Sequence, residues 1–245
     1  MSARRALSCI AVACVLAGCG AQDPARDFTV GTHRVSAAVP PGWDVIDQGR
    51  QIRLRKGSAE LVLRDLGPAG PRGVRREVER ARDLWSAGQG GAALARMGIV
   101  PVPRDLFPTP EAGRAFWKAW SRVSQAPAET LYTDLAPAFD EVLDLVDAMP
   151  ERDLPALVDS GLATLGHDQR RDVKSRAAAS IDGREALDVE TWNRLTHAGL
   201  QRLLFVLNDG SLLALYTGHD ANRDTVKAFE ALGARLHFDA GAPRR

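Results

Sequence analysis

Five histidines, His33, His167, His197, His219 and His237, are the side chains best suited to carry protons or hold a metal near neutral pH, and no set of them stands at a metal-ligand spacing. His167 with Asp168 and Asp172 is the densest polar group, and its place between a helical and a strand pattern reads as a solvated connection. His237 falls within a strand pattern and reads as packed or edge-exposed. The chain contains no Gly-x-Ser-x-Gly elbow, no Walker phosphate loop and no His-Glu-x-x-His helix. Gly88-Gln89-Gly90-Gly91-Ala92-Ala93 fits the spacing of a dinucleotide loop, but it follows a helix where that loop must follow a strand, so it reads as a helix break. Asp220, Asn222 and Asp224 copy the first donors of a calcium loop. Thr225 then replaces its glycine and Ala231 its bidentate glutamate, so helix capping is the better reading. These patterns imply no cofactor and no metal centre. Two surfaces are left for binding. Asp140, Glu141, Asp144 and Asp147 line one side of a helix as a solvated acidic face, or alternatively a patch for a cation or basic partner. Phe116, Trp117 and Trp120 crowd three large aromatics into five residues. Neighbours on a helix are about 100° apart, so the three cannot share one stripe, and Trp117 is expected to be only partly buried. This cluster is the candidate contact for a protein partner.

The beginning of the chain carries a different kind of chemistry. Arg4 and Arg5 precede an apolar run at residues 6–17, about a dozen residues long. That is too short for a permanent membrane span and of the length of a secretion signal. The run closes on Leu16-Ala17-Gly18-Cys19. This order of charge, apolar run, small residues and cysteine resembles the lipobox of bacterial lipoproteins. The resemblance implies cleavage after Gly18, a signal peptide over residues 1–18, and a diacylglyceryl group on the Cys19 thiol. Cys9 and Cys14 would leave with the signal, so the mature chain would keep Cys19 as its only cysteine, with no intramolecular disulfide and no cysteine nucleophile. Two acyl chains suffice for a stable membrane anchor. Gly20 follows the cysteine where the inner-membrane retention signal has aspartate, so the outer membrane, facing the periplasm, is the expected address in a Gram-negative cell. Loss of Arg4 and Arg5 takes the formal net charge from +1 to −1, and neither the near-neutral surface nor the secreted location suits nucleic acid.

The 227 residues from Cys19 onward, with 45% hydrophobic and 26% charged residues over the whole sequence, suit a globular domain. Residues 19–27 are short and polar and read as a tether. Strands are expected at residues 28–30, 34–39 and 43–46, and Ile52 and Leu54 alternating with Arg53 and Arg55 lead through Lys56-Gly57-Ser58 into a strand at 60–64. Val74, Val78, Ala81 and Trp85 then recur at helical spacing, and Gly88 to Gly91 end that helix. Residues 92–166 read as a helical insertion. Thr109 caps a helix with Pro110 at its first position, a second helix starts at Pro137, and a third near Asp153 carries Leu157, Leu162 and Leu165. Alternation from Val173 to Ile181, the turn Asp182-Gly183 and a strand at 185–192 form one hairpin. Leu203 to Leu207, Asn208-Asp209-Gly210 and Leu212 to Tyr216 form another, whose unbroken apolar character marks central strands covered on both faces. Asp220 or Asn222 caps a last helix with Val226, Phe229 and Leu232, followed by a closing strand at 234–238. Residues 240–245 read as a C-terminal tail. The expected class is α+β, an antiparallel sheet sandwiched by helices and carrying a helical insertion, in a single domain over 28–239.

Val39-Pro40-Pro41-Gly42-Trp43 after a strand, and the run from Asn208 to Gly218 followed by a helix and a last strand, resemble the PsbP-like fold. That fold occurs in small bacterial lipoproteins, a photosystem extrinsic subunit and a nuclear-transport factor. The likeness covers roughly residues 28–85 and 170–239, and it implies a mostly non-enzymatic binding protein. The expected function is therefore a lipid-anchored accessory module of an envelope protein complex. The alternatives are a carrier of a small apolar ligand held between sheet and helices, or an enzyme without a recognisable motif.

Overall fold

The computed structural model describes residues 25–99 and 107–239. The expected signal peptide over residues 1–18, Cys19 and the expected tail at 240–245 lie outside the described residues. The chain opens as a hairpin of β1 (Ala25–Val30) and β2 (His33–Ala38), whose alternate residues Val35 and Ala37 are buried. β1 takes in Ala25, Arg26 and Asp27, which the sequence placed in the tether. They pair with Ala38, Ala37 and Ser36, and on an outer strand their polar side chains stay in water while the backbone is satisfied.

Next come β3 (Asp44–Asp47), β4 (Gln51–Lys56) and β5 (Ala59–Pro68), where Ile52 and Leu54 face inward and Arg53 and Arg55 outward. Helices follow. α1 (Gly70–Ser86) buries Val74, Val78, Ala81 and Trp85, and α2 (Gly90–Ile99) starts inside the glycine run, taking Gly90 and Gly91 into its first turn. α3 (Pro110–Ser124) begins as its sequence suggests, with Thr109 Oγ1 accepting the Ala112 N–H at 3.2 Å. α4 (Tyr132–Asp147) starts five residues before Pro137. Tyr132, Leu135, Phe139, Val142 and Val146 extend its apolar stripe across the proline, and burying that longer stripe outweighs the one backbone bond that proline cannot donate. α5 (Leu154–Thr164) is capped by Asp153, and a short α6 (His167–Arg170) replaces the expected loop.

β6 (Arg171–Ile181) and β7 (Arg184–Asn193) are joined by Asp182-Gly183, both at positive φ as a two-residue hairpin requires. β8 (Gln201–Asn208) and β9 (Ser211–Thr217) repeat the device at Asp209-Gly210. α7 (Arg223–Gly233) is capped by Asn222, whose Oδ1 accepts the Thr225 N–H at 2.9 Å. Only His237–Phe238 of the expected closing strand forms, as β10, because residues 234–236 are spent on hydrogen bonds that end α7.

The strands make two antiparallel sheets, one in the order β1-β2-β10 and one in the order β3-β4-β5-β9-β8-β7-β6. The fold is α+β, with the large sheet lying between covering layers. One face, with Leu204, Val206, Leu213 and Leu215, packs on Phe229 and Leu232 of α7 and on Val30, Val35 and Phe238 of the small sheet. The other, with Leu203, Phe205, Leu212 and Ala214, packs on Leu154, Val158 and Leu162 of α5. A separate core joins α1, α2, α3 and α4, including an edge-to-face pair of Trp85 and Phe139 with centroids 6.2 Å apart. The helical layer therefore does not coincide with residues 92–166. It starts with α1, and α5 belongs to the sheet, which needs that helix to cover one face. The layers meet where Gly73 of α1 touches the β8–β9 turn so closely that a Cβ would sit 1.9 Å from the Gly210 oxygen.

Candidate functional site

The aromatic cluster of α3 divides as helical geometry demands. Phe116 and Trp120, four residues apart, share the buried stripe with Ala119 and Val123, their rings stacked at 5.6 Å. Trp117 points away from that stripe, is 38% exposed, and meets Phe116 edge-on at 5.4 Å. Phe116 and Trp120 are thus core residues and leave the candidate contact surface, because reaching them means unpacking α3. Trp117 remains on it.

An open groove of about 450 Å3 lies on the same helical layer, between the end of α1 and the segment that leads into α4. Trp85, Ser86, Gly88 and Gly90 form one wall, and residues 128–133 form the other. The Trp85 indole N–H donates to the Thr130 carbonyl at 2.8 Å and fixes that wall. Gly90 packs so tightly on Ala128 that a Cβ would come within 2.0 Å of its oxygen. Leu131, at the start of α4, projects from the rim with 68% of its surface in water. By contrast, the seam between α5 and the sheet at Gly67 and Leu157 holds about 30 Å3, room for a single water and not for an apolar ligand.

The acidic side of α4 is partly engaged by its neighbours: Glu141 pairs with Arg122 at 2.5 Å and Asp147 with Arg75. Glu77 is buried between Arg80 at 2.9 Å and Arg96 at 2.8 Å, and Arg76 reaches Asp209 on the β8–β9 turn. These arginines tie α1 and α2 to each other and to the sheet.

Two histidines, His33, which the sequence left unassigned, and His167, which it placed in a solvated connection, are buried. Asn208 Oδ1 accepts from Arg184 Nε at 2.6 Å, so its amide nitrogen donates to His33 Nδ1 at 3.0 Å. That leaves the proton of neutral His33 on Nε2, which has no hydrogen-bond partner among the described residues. Burial pushes the His33 pKa down from 6.5, and Arg80 and Arg76 add to this against the opposing pull of Asp65. His167 is not the solvated residue its sequence suggested. Gln201 Nε2 donates to the Thr217 carbonyl at 2.7 Å, so Gln201 Oε1 accepts from His167 Nε2 at 2.6 Å, and burial again lowers the pKa. Beside it, Arg171 is buried, with the carboxylate of Asp220 near enough to oppose the effect of burial on its charge. It donates to Thr191 Oγ1 at 2.8 Å, to the Thr191 carbonyl at 3.0 Å and to the Gly199 carbonyl, tying the β7–β8 loop to β6. The desolvated guanidinium is shifted below its ordinary value. His219 lies 6.3 Å from His167 by ring centres, and His197 stands edge-on to Trp192, so these rings are neighbours without forming a ligand set. His237 is exposed at the end of β10 and sits 3.3 Å from Asp182.

Only burial distinguishes His33 and His167 from an exposed histidine, and single-residue types carry no mark of it. The groove was equally invisible, since its walls come from segments some forty residues apart. No helix among the described residues is long and apolar enough to cross a membrane. Neither a family model nor a curated protein matches the chain.

Proposed function

We propose that the chain is a lipid-anchored protein of the bacterial cell envelope, related to the PsbP-like lipoproteins, that acts by binding an envelope protein through its helical layer. Cys19 would hold it to the membrane, in the outer membrane facing the periplasm if the cell is Gram-negative. The observation that carries the binding reading is the open groove with Leu131 exposed on its rim. Single exposed apolar side chains are ordinary on a protein surface, but Leu131 stands beside an aromatic-walled depression, and apolar surface gathered in one place in this way is what marks a contact site. Trp117, exposed on the neighbouring α3, adds an apolar surface to the same layer. The antiparallel sheet between α5 and the α7 layer is compatible with the proposed kinship.

The test is chemical cross-linking of the full lipoprotein in its own membranes, followed by capture. Leu131→Asp and Trp117→Ala should each lose the captured protein while the melting temperature moves little, both being surface positions. Trp120→Ala, inside the core, should instead cost about 3–5 kcal/mol. Retention of the same partner by both surface variants overturns the helical layer as the binding face. Loss of several degrees of stability in Trp117→Ala would show that residue to be core.

A further inference from the structure

The large sheet ends on one side in β3, only four residues long, with an aspartate at each end and Pro40-Pro41 shortly before it, features that discourage strand pairing. The other end is β6, eleven residues long, with Val173 to Ala178 and Ser180 exposed. A bulge between Val173 and Ser175 blunts only its first part. From Ser175 to Ile181 the register with β7 runs without interruption. The two exposed cations on the strand do not guard the edge, because Lys174 turns back to Glu190 at 3.2 Å and Arg176 to Asp159 of α5 at 2.5 Å.

The two-residue turn decides which backbone groups are free. Ile181 and Arg184 flank it and form the hydrogen-bonded closing pair, so residues 181, 179, 177 and 175 direct their N–H and C=O groups to β7. Arg176, Ala178 and Ser180 therefore direct theirs outward. Ala178 is the midpoint of the uninterrupted stretch. We propose that this edge pairs with the same edge of a second copy, antiparallel, about a two-fold axis at Ala178.

In that register Arg176 meets Ser180 of the second copy and Ala178 meets Ala178, so every outward group finds a partner in three narrow pairs. Ala177 falls opposite Ala179 and Ser175 opposite Ile181, small and apolar contacts that let the strands approach. Charge does not oppose the pairing: Glu185, exposed and with no ion pair among the described residues, stands on β7 opposite Ser180, so Arg176 of the second copy, itself held by Asp159, arrives on a face that carries a carboxylate. The surface is separate from the Leu131 groove, so either proposal can fail alone.

Sedimentation of the full chain in detergent, with Ala178→Cys oxidised and run without reductant, tests the register. Facing residues in a narrow pair have Cα atoms about 5.5 Å apart, within disulfide range, whereas two copies of residue 174 would stand about 27 Å apart along the strands. Ala178→Cys should give a cross-linked dimer beyond any formed by the parent chain, and Lys174→Cys should not. Ala178→Lys, at an exposed position that leaves folding intact, should shift the parent dimer to monomer. A monomeric parent, a dimeric Ala178→Lys, or an Ala178→Cys chain whose new thiol cross-links to a different protein each overturns the proposal.

Discussion

The ring of Phe205 is fully buried at the middle of β8, against Leu154, Val158 and Leu162 of α5. The α5 backbone comes closest at Gly161, where a Cβ would stand 3.1 Å from Phe205 Cε1 and 2.8 Å from Leu212 Cδ2. Phe205→Ala removes a phenyl group from a place where sheet and helix cannot both move in, so the loss should be about 3–5 kcal/mol. That is a large share of the roughly 5–15 kcal/mol that holds an ordinary domain folded. Gly161→Ala alone should overpack the seam at about 1–3 kcal/mol, partly offset by about 1 kcal/mol of better helix propensity. Combined, the new methyl enters space vacated by the ring, and its contact with Phe205 disappears. The double variant should therefore be more stable than the sum of the single losses by about 1 kcal/mol or more. Guanidinium denaturation of the four proteins, followed by tryptophan fluorescence, measures all the terms. A loss below about 1 kcal/mol for Phe205→Ala, or additivity to within about 0.5 kcal/mol, would refute the packing of α5 over the central strands.

Two further outcomes follow from other parts of the chain. His33 and His167 are held neutral, so their contribution to stability is complete above their ordinary value of 6.5 and is lost as the pH falls below it. Protonating His33 on Nδ1 also breaks its bond from Asn208, whereas His167 keeps Nε2 on Gln201. His33→Gln should therefore flatten a denaturation profile taken from about pH 8 to about pH 5 more than His167→Gln does, and equal slopes would show that the Asn208 bond is irrelevant. Cys19→Ser should leave an uncleaved precursor without lipid, checked by labelled palmitate and gel mobility. Label on the Cys19→Ser protein would remove Cys19 as the acylation site.

The sequence made some features legible because local physics decides them. Thr109-Pro110 starts α3, Asp182-Gly183 and Asp209-Gly210 turn their hairpins, and Asn222 caps α7, since each device acts within a few residues. The unbroken apolar runs of β8 and β9 likewise announced strands covered on both faces. The split between Trp117 and its neighbours followed from the 100° step of a helix. Pro137 misled because a proline is a good start signal, and only the wider stripe of α4 shows why it is tolerated inside the helix.

Partnership between distant segments was not legible. Nothing in residues 154–164 distinguishes a helix that covers a sheet from one that joins a helical layer, and α5 did the first while α1, outside the expected insertion, did the second. The small sheet arises because β10 pairs with β2 across the length of the chain. His33 reads as any histidine until Asn208, 175 residues away, comes against it. By itself the sequence determined the caps, the turns and the apolar faces, all written in short-range patterns. Tertiary structure alone decided which face met which, which polar groups lost water and where an edge or groove was left open, because burial is a property of pairs of surfaces that no single segment carries.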